Sequence, residues 1–186
     1  MRIIYFSLLL MLILGTTSCD PASKYKSEIA QIDSCLTVLD SIEALYNGIE
    51  FDSLNMMVSH VIANEDSIHK YYHPDTLSMM IGIRMSESKG VRKKLQNVDV
   101  QKQSFDIEFP GTRKQLIDLK TDITNGVLSS DKVEQYVKSE VKAFNDLNIA
   151  FTKFYKMQIE QKLFYYSAVP IIDDFIEQIK NEPKEE

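Results

Sequence analysis

The sequence predicts an all-α protein, a mostly antiparallel bundle of four to six helices. Three observations carry that prediction. Apolar residues recur at alternating steps of four and three along most of the chain, which aligns them on one face of a 3.6-residue helix. Only six glycines and five prolines interrupt 186 residues. The Asn-Gly pairs, Asn47-Gly48 and Asn125-Gly126, each follow a helical stripe, so neither reads as the turn of a β-hairpin.

The first stripe runs from Ser23 to Asn47 through Tyr25, Ile29, Ile32, Leu36, Leu39 and Tyr46, with Glu43 taking one slot beside Ile42. Gly48 is expected to stop it in the left-handed conformation that glycine tolerates. A second helix is predicted from Asp52 to about Tyr72, burying Leu54, Met57, Val58, Val61, Ile62 and Ile68. Pro74 ends it, because a residue before proline is pushed out of the helical region. Asp75 or Thr76 can cap the third segment. There Leu77, Met80, Ile81, Met85, Val91, Leu95 and Val98 give a weaker pattern, loosened by Gly82 and Gly90.

From Val98 to Phe109 the helical spacing continues, although Phe105, Ile107 and Phe109 also alternate like a strand; helix is preferred because no partner strand is visible. Pro110-Gly111 is expected to break the segment. Thr112 to Asn125 is helical again, with Gly126 as its stop. Ser129-Ser130-Asp131 then starts a long helix to about Ser167, whose seam reads Val133, Val137, Glu140, Phe144, Leu147, Phe151, Phe154 and Gln158. Val169-Pro170 is expected to end or kink it, with Pro170 opening a compact final helix through Ile171, Ile172, Phe175, Ile176 and Ile179. Residues 181–186 read as a disordered charged tail. No repeat or low-complexity linker divides the chain, so 23–180 reads as a single helical domain.

The first twenty residues are different in kind. Arg2 supplies a positive start, Ile3 to Leu14 are apolar except for Ser7, and Gly15 to Ser18 are small. That is the grammar of a secretory signal, and the apolar run falls short of the roughly 20 residues that cross a bilayer. Its ending, Ser18-Cys19, resembles the lipobox of bacterial lipoproteins, with Thr16 standing where Leu is more usual. The resemblance implies that 1–18 is removed, that Cys19 carries the acyl chains, and that 19–22 is a short tether to a membrane of the cell envelope. Two or three acyl chains make a firm anchor, since each buried methylene contributes about 0.8 kcal/mol.

The full chain carries a net charge of −6, and the signal holds one basic and no acidic side chain. An acidic body argues against nucleic acid and against polybasic attachment to lipid. Arg92-Lys93-Lys94, the densest basic cluster, reads as a solvated helix face. With Cys19 acylated, Cys35 has no partner thiol and reads as a small, partly buried side chain.

The best metal candidate is Glu65, His69 and His73, spaced to share a helix face. Pro74 disturbs that geometry, no remote ligands complete the set, and a solvated polar turn is the preferred reading. Paired Glu-x-x-His motifs of the di-iron bundles are absent, as are a Gly-x-Ser-x-Gly elbow and a phosphate-cradling glycine loop. The three histidines, His60, His69 and His73, crowd one segment and select no nucleophile. No cofactor and no catalytic residue is therefore predicted.

Glu140 stands in the apolar seam, where a bundle-edge position is the preferred reading over a register-fixing or cavity-lining role. The late aromatics Phe144, Phe151, Phe154, Tyr155, Phe164, Tyr165 and Tyr166 read as core before they read as a binding face. The expectation is a non-enzymatic, membrane-anchored scaffold or protein-binding module with a partner in the envelope. The alternative is a carrier or sensor that holds a small apolar or sugar ligand in a cavity beneath the Met-rich third segment and the late aromatics.

Overall fold

Alternating four-three seams keep apolar side chains in line on a slightly under-wound helix, and three such helices can close their seams on one another. The computed structural model, which describes residues 21–73 and 77–181, has this form. A helical turn at Pro21–Lys24 leads into α1 (Lys26–Asn47), α2 (Phe51–Tyr71), α3 (Met79–Leu95), α4 (Val98–Thr124) and α5 (Ser130–Asn181), with no strand among the described residues. The fold is an all-α bundle.

Side-chain pairs fix the topology. Asp33 meets Lys120 and Tyr46 meets Asp106, so α1 and α4 run antiparallel. Glu65 meets Arg92 and Asn55 meets Asp99, so α2 runs against α3 and the start of α4. Tyr25 meets Ser130 and His60 meets Tyr165 at the same separation of 105 residues, so α1 and α2 both run parallel to α5 in one register. The result is an up-down-up, three-stranded rod. Its strands are α1 followed by α2, then α3 followed by α4, then α5, whose 52 residues span about 78 Å.

The two interruptions are staggered. Phe51, just past the first, lies beside Lys102 and Phe154, well inside α4 and α5. Asn55 faces Asp99, just past the second. Where one strand is broken its neighbours are continuous helix.

Several local expectations are corrected. Gly48 ends α1 with φ −86, a right-handed conformation; its N–H bonds Leu45 O and the Ile49 N–H bonds Tyr46 O. Gly126 is the left-handed stop, at φ 67. Its N–H bonds Ile123 O and that of Val127 bonds Asp122 O, a Schellman closure of α4. The cap of α3 is Ser78, which accepts from the Ile81 N–H, while Asp75 and Thr76 lie outside the described residues.

Neither proline break occurs. Pro110 lies inside α4 and Pro170 inside α5, so the compact final helix is instead the end of α5. Both prolines are exposed, on faces turned away from the seam. The seam itself runs on through Phe105, Phe109, Thr112 and Leu116, and through Ala168, Ile172 and Ile176, all buried. Interior proline costs about 3 kcal/mol, whereas burying one large apolar side chain contributes about 1.5–3 kcal/mol, so two or three seam residues offset it.

The main core extends from Ile32 through an aromatic cluster and on to Met57, Val61, Val91, Leu95 and Val169. Tyr46, Phe51, Phe105, Phe109, Phe151 and Phe154 meet ring to ring at 5.1–6.3 Å. A smaller cluster, Ile68, Ile172 and Ile176, closes the upper end. Cys35 is buried in the main core, and that burial pushes its thiol pKa up, away from the reactive thiolate.

Candidate functional site

Between the main core and the upper cluster the seams turn polar. Asn64 on α2, Ser88 on α3 and Gln158 and Gln161 on α5 are all buried. Around them α2 is bracketed to α5. The Asn64 amide donates to Asp173 Oδ1 at 2.7 Å, His60 Nε2 lies 3.2 Å from the same oxygen, and His60 Nδ1 is 2.7 Å from the Tyr165 hydroxyl. The coherent tautomer has His60 donating from Nε2 to the carboxylate and accepting at Nδ1 from the phenol.

An aspartate, an imidazole and a hydroxyl in a row have the form of a nucleophile relay, but Tyr165 is a poor nucleophile. Burial first, then the charge of Asp173, holds its pKa above the ordinary value. The relay reads as a helix bracket that holds α5 to α2 on either side of Pro170.

Beside the bracket lies an open cavity of about 580 Å³, lined by Asn64 and Ile68 on α2, Tyr72 just past its end, Gly82, Met85 and Ser88 on α3, and Ile172 on α5. Glu65, His69 and Lys89 are on its rim. The cavity lies under the Met-rich third segment, as the sequence allowed, but none of the late aromatics expected beside it is in its lining.

A second concavity, about 330 Å³, opens where the α1–α2 interruption passes α5. Gly48 and Ile49 form one side, and Tyr155, Ile159, Lys162, Leu163 and Tyr166 the other. At its floor Gln158 is buried, and its Oε1 has no hydrogen-bond partner. Leu163 and Tyr166 are 68% and 64% exposed.

The sequence-predicted residues separate accordingly. Glu65 Oε2 is 2.9 Å from Arg92 Nε, His69 is exposed near the end of α2, and His73 lies beyond that end at Tyr71. Among the described residues no group of three His, Cys, Asp or Glu is arranged to hold a metal ion. Glu140 is half-buried, and Lys142 beside it pairs with Asp146 instead. Phe144, Phe151 and Phe154 are core, Tyr155 and Tyr165 are half-buried, and Phe164 and Tyr166 are exposed. Cys19 and the signal-like segment lie outside the described residues.

Sequence reasoning did not single out the bracket, since His60, Asn64, Tyr165 and Asp173 are remote in the chain. The available signal was Asn64 at a seam step between Val61 and Ile68.

The class these features define is a five-helix, three-stranded, up-down-up rod with a polar belt and a side cavity. No protein-family model, no curated protein and no solved structure matches the chain. No described helix is long and apolar enough to cross a membrane.

Proposed function

We propose that this chain is a lipid-anchored protein of the bacterial envelope, held to a membrane through acyl chains on Cys19, and that it works without catalysis by binding another protein. The supporting observation is the apolar stripe on the outer face of α5. Tyr155, Ile159, Leu163 and Tyr166 follow a four-four-three spacing on a helix that is regular and continuous, and Ile49 faces them across the groove. Large apolar side chains clustered on a surface mark a contact site more often than singly scattered ones do.

The chemistry of the partner follows from the flanks. Lys156 and Lys162 lie one turn before and one turn after Ile159, and neither pairs with a carboxylate among the described residues. An amphipathic helix with acidic residues beside its apolar face fits both the groove and the charge. The tether holds the lower end of the rod at the membrane, because Cys19 is only two residues before Pro21, where the first helical turn begins.

The test is a photoreactive amino acid at Leu163 in intact cells, with one at exposed Val127 as the control. A discrete adduct at Leu163, absent at Val127 and lost when Ile159→Glu is added beside the probe, is the expected result. Recovery of a lone monomer under several growth conditions defeats the reading.

A second reading, a carrier or sensor of a small molecule, is favoured by the cavity of about 580 Å³ between α2 and α3. It is compatible with the first.

A further inference from the structure

We infer that the cavity between α2 and α3 takes a small organic anion with an apolar skeleton. Its head is held by Lys89, its polar atoms meet Ser88 and Asn64, and its body lies on Ile68, Met85 and Ile172. The inference rests on the carrier reading and adds the chemistry of the ligand.

Size comes first. A volume of about 580 Å³ falls within the range of small-molecule sites, roughly 300–1,000 Å³, and the lining comes from three helices. Ile68 on α2, Met85 on α3 and Ile172 on α5 give it three aliphatic walls, and methionine adapts to irregular shapes.

Polar satisfaction comes second. Ser88 is 3% and Asn64 is 7% exposed, and both line the cavity. Asn64 donates one amide hydrogen to Asp173 Oδ1. The Asn64 carbonyl oxygen and the Ser88 hydroxyl are not among the described buried atoms left without a partner, so they remain open to solvent along the cavity wall. There a ligand, or water that a ligand displaces, can hydrogen-bond them.

Charge selects the class. Glu65 on the rim is already matched by Arg92 at 2.9 Å, and Glu87 further along α3 by Arg84 at 2.8 Å. Lys89 has no carboxylate within ion-pair distance among the described residues. It is therefore the charged lining side chain left without an ion-pair partner, and a carboxylate hydrogen-bonded to an ammonium is the stronger, charge-assisted kind of contact.

Gly82 provides the control. It lies on the α3 wall, and a Cβ built there meets only Leu77 Cδ2, at 3.9 Å. A leucine at this position fills part of the cavity, and it also improves the helix.

The experiment uses the full chain in lipid nanodiscs with its methionine methyls labelled with carbon-13, so that Met85 reports from inside the cavity while Met56 and Met79 report from the surface. Hexanoate is titrated against hexan-1-ol, which has the same skeleton without the charge. Hexanoate is expected to shift the Met85 signal saturably and about tenfold more tightly than the alcohol. Lys89→Gln is expected to erase the difference, and Gly82→Leu to abolish both responses. Equal binding of acid and alcohol overturns the anion assignment and leaves the carrier reading standing. Silence of Met85 toward both, or an unchanged response in Gly82→Leu, overturns the carrier reading as well. The crosslinking test at Leu163 is unaffected by either result.

Discussion

The lower half of the rod, built from α1, α4 and the first part of α5, fills its seam with rings and branched aliphatics. The upper half, built from α2, α3 and the last part of α5, sets amides and a hydroxyl at equivalent steps. Below, Tyr46, Phe105, Phe109 and Phe151 meet edge to face within a continuous core, and Arg113 ties Asp40 and Glu43 across its side. Above, Asn64, Ser88, Gln158 and Gln161 share the interior with a cavity and with the small aliphatic cluster of Ile68, Ile172 and Ile176. One heptad grammar runs through both halves, so the difference lies in what occupies the seam. Rings supply bulk stability, while buried polar groups add little net energy and make the packing particular about its partners.

Four measurements can break or sharpen that contrast. The largest effect is expected from Phe151→Ala, at 1% exposure in the middle of the ring cluster, which should cost about 3–5 kcal/mol in urea unfolding. Ile172→Ala, equally buried but beside an existing cavity, should fall near the low end for such truncations, about 2 kcal/mol. Equal losses would mean that the upper half is packed as tightly as the lower.

Next in size is Asp173→Ala. It strips the partner from the buried Asn64 amide and from His60, and should cost about 1–3 kcal/mol. Hydrogen exchange is expected to speed up in α2 and the end of α5 before α1. Uniform acceleration along the rod would show that the bracket does not define a separate unit of opening.

A smaller loss, about 1 kcal/mol, is expected for Tyr46→Phe, because the phenol donates to Asp106 Oδ1 at 2.6 Å and to Lys102 O at 3.2 Å. Its pH dependence carries a definite sign. Lys102 first and Tyr46 second hold the Asp106 carboxyl below the usual carboxylate range. That contribution is present above the unfolded pKa and is lost as pH falls through the folded one, so acid should erode the wild type more steeply than Asp106→Asn. Burial first, then Asp106, pushes the Tyr46 phenol above its ordinary value of 10.0. Stability from that source is complete below the ordinary value and declines as pH rises through the folded one. Tyr46→Phe should lack that alkaline decline.

The smallest effect is a gain. Gly90→Ala in α3, where a Cβ meets nothing within 4 Å, should stabilise by about 0.5–1 kcal/mol, measured by thermal unfolding. A loss there would mean that α3 needs its looseness, a property the lower half does not share.

Much of this fold was legible from residue spacing. The seam of α5 from Val133 to Gln158 could be read directly, as could helix over strand at 98–109 and the stop at Gly126. Pro110 and Pro170 misled because a proline rule is local, whereas the cost of a missing hydrogen bond is set against burial contributed by other helices. The candidate sites were less legible. Glu65, His69 and His73 looked like a set because they are near in sequence, yet the bracket joins residues 105 and 109 positions apart. The cavity depends on what α2, α3 and α5 leave unfilled between them.

The sequence by itself determined that the chain is helical and the direction of most buried faces, although Ile62 and Ile117, read as inward, are exposed; it also set the first twenty residues apart as a different pattern. Periodicity encodes a face, and a face is a property of a single helix. Tertiary structure alone decided that two pairs of helices run on end to end as strands of one rod, and that two prolines are carried inside continuous helices. It also decided that polar seam residues from three helices gather into a belt beside an open cavity. These depend on register between helices, which no single stripe contains, because register is set by the sum of contacts across the bundle.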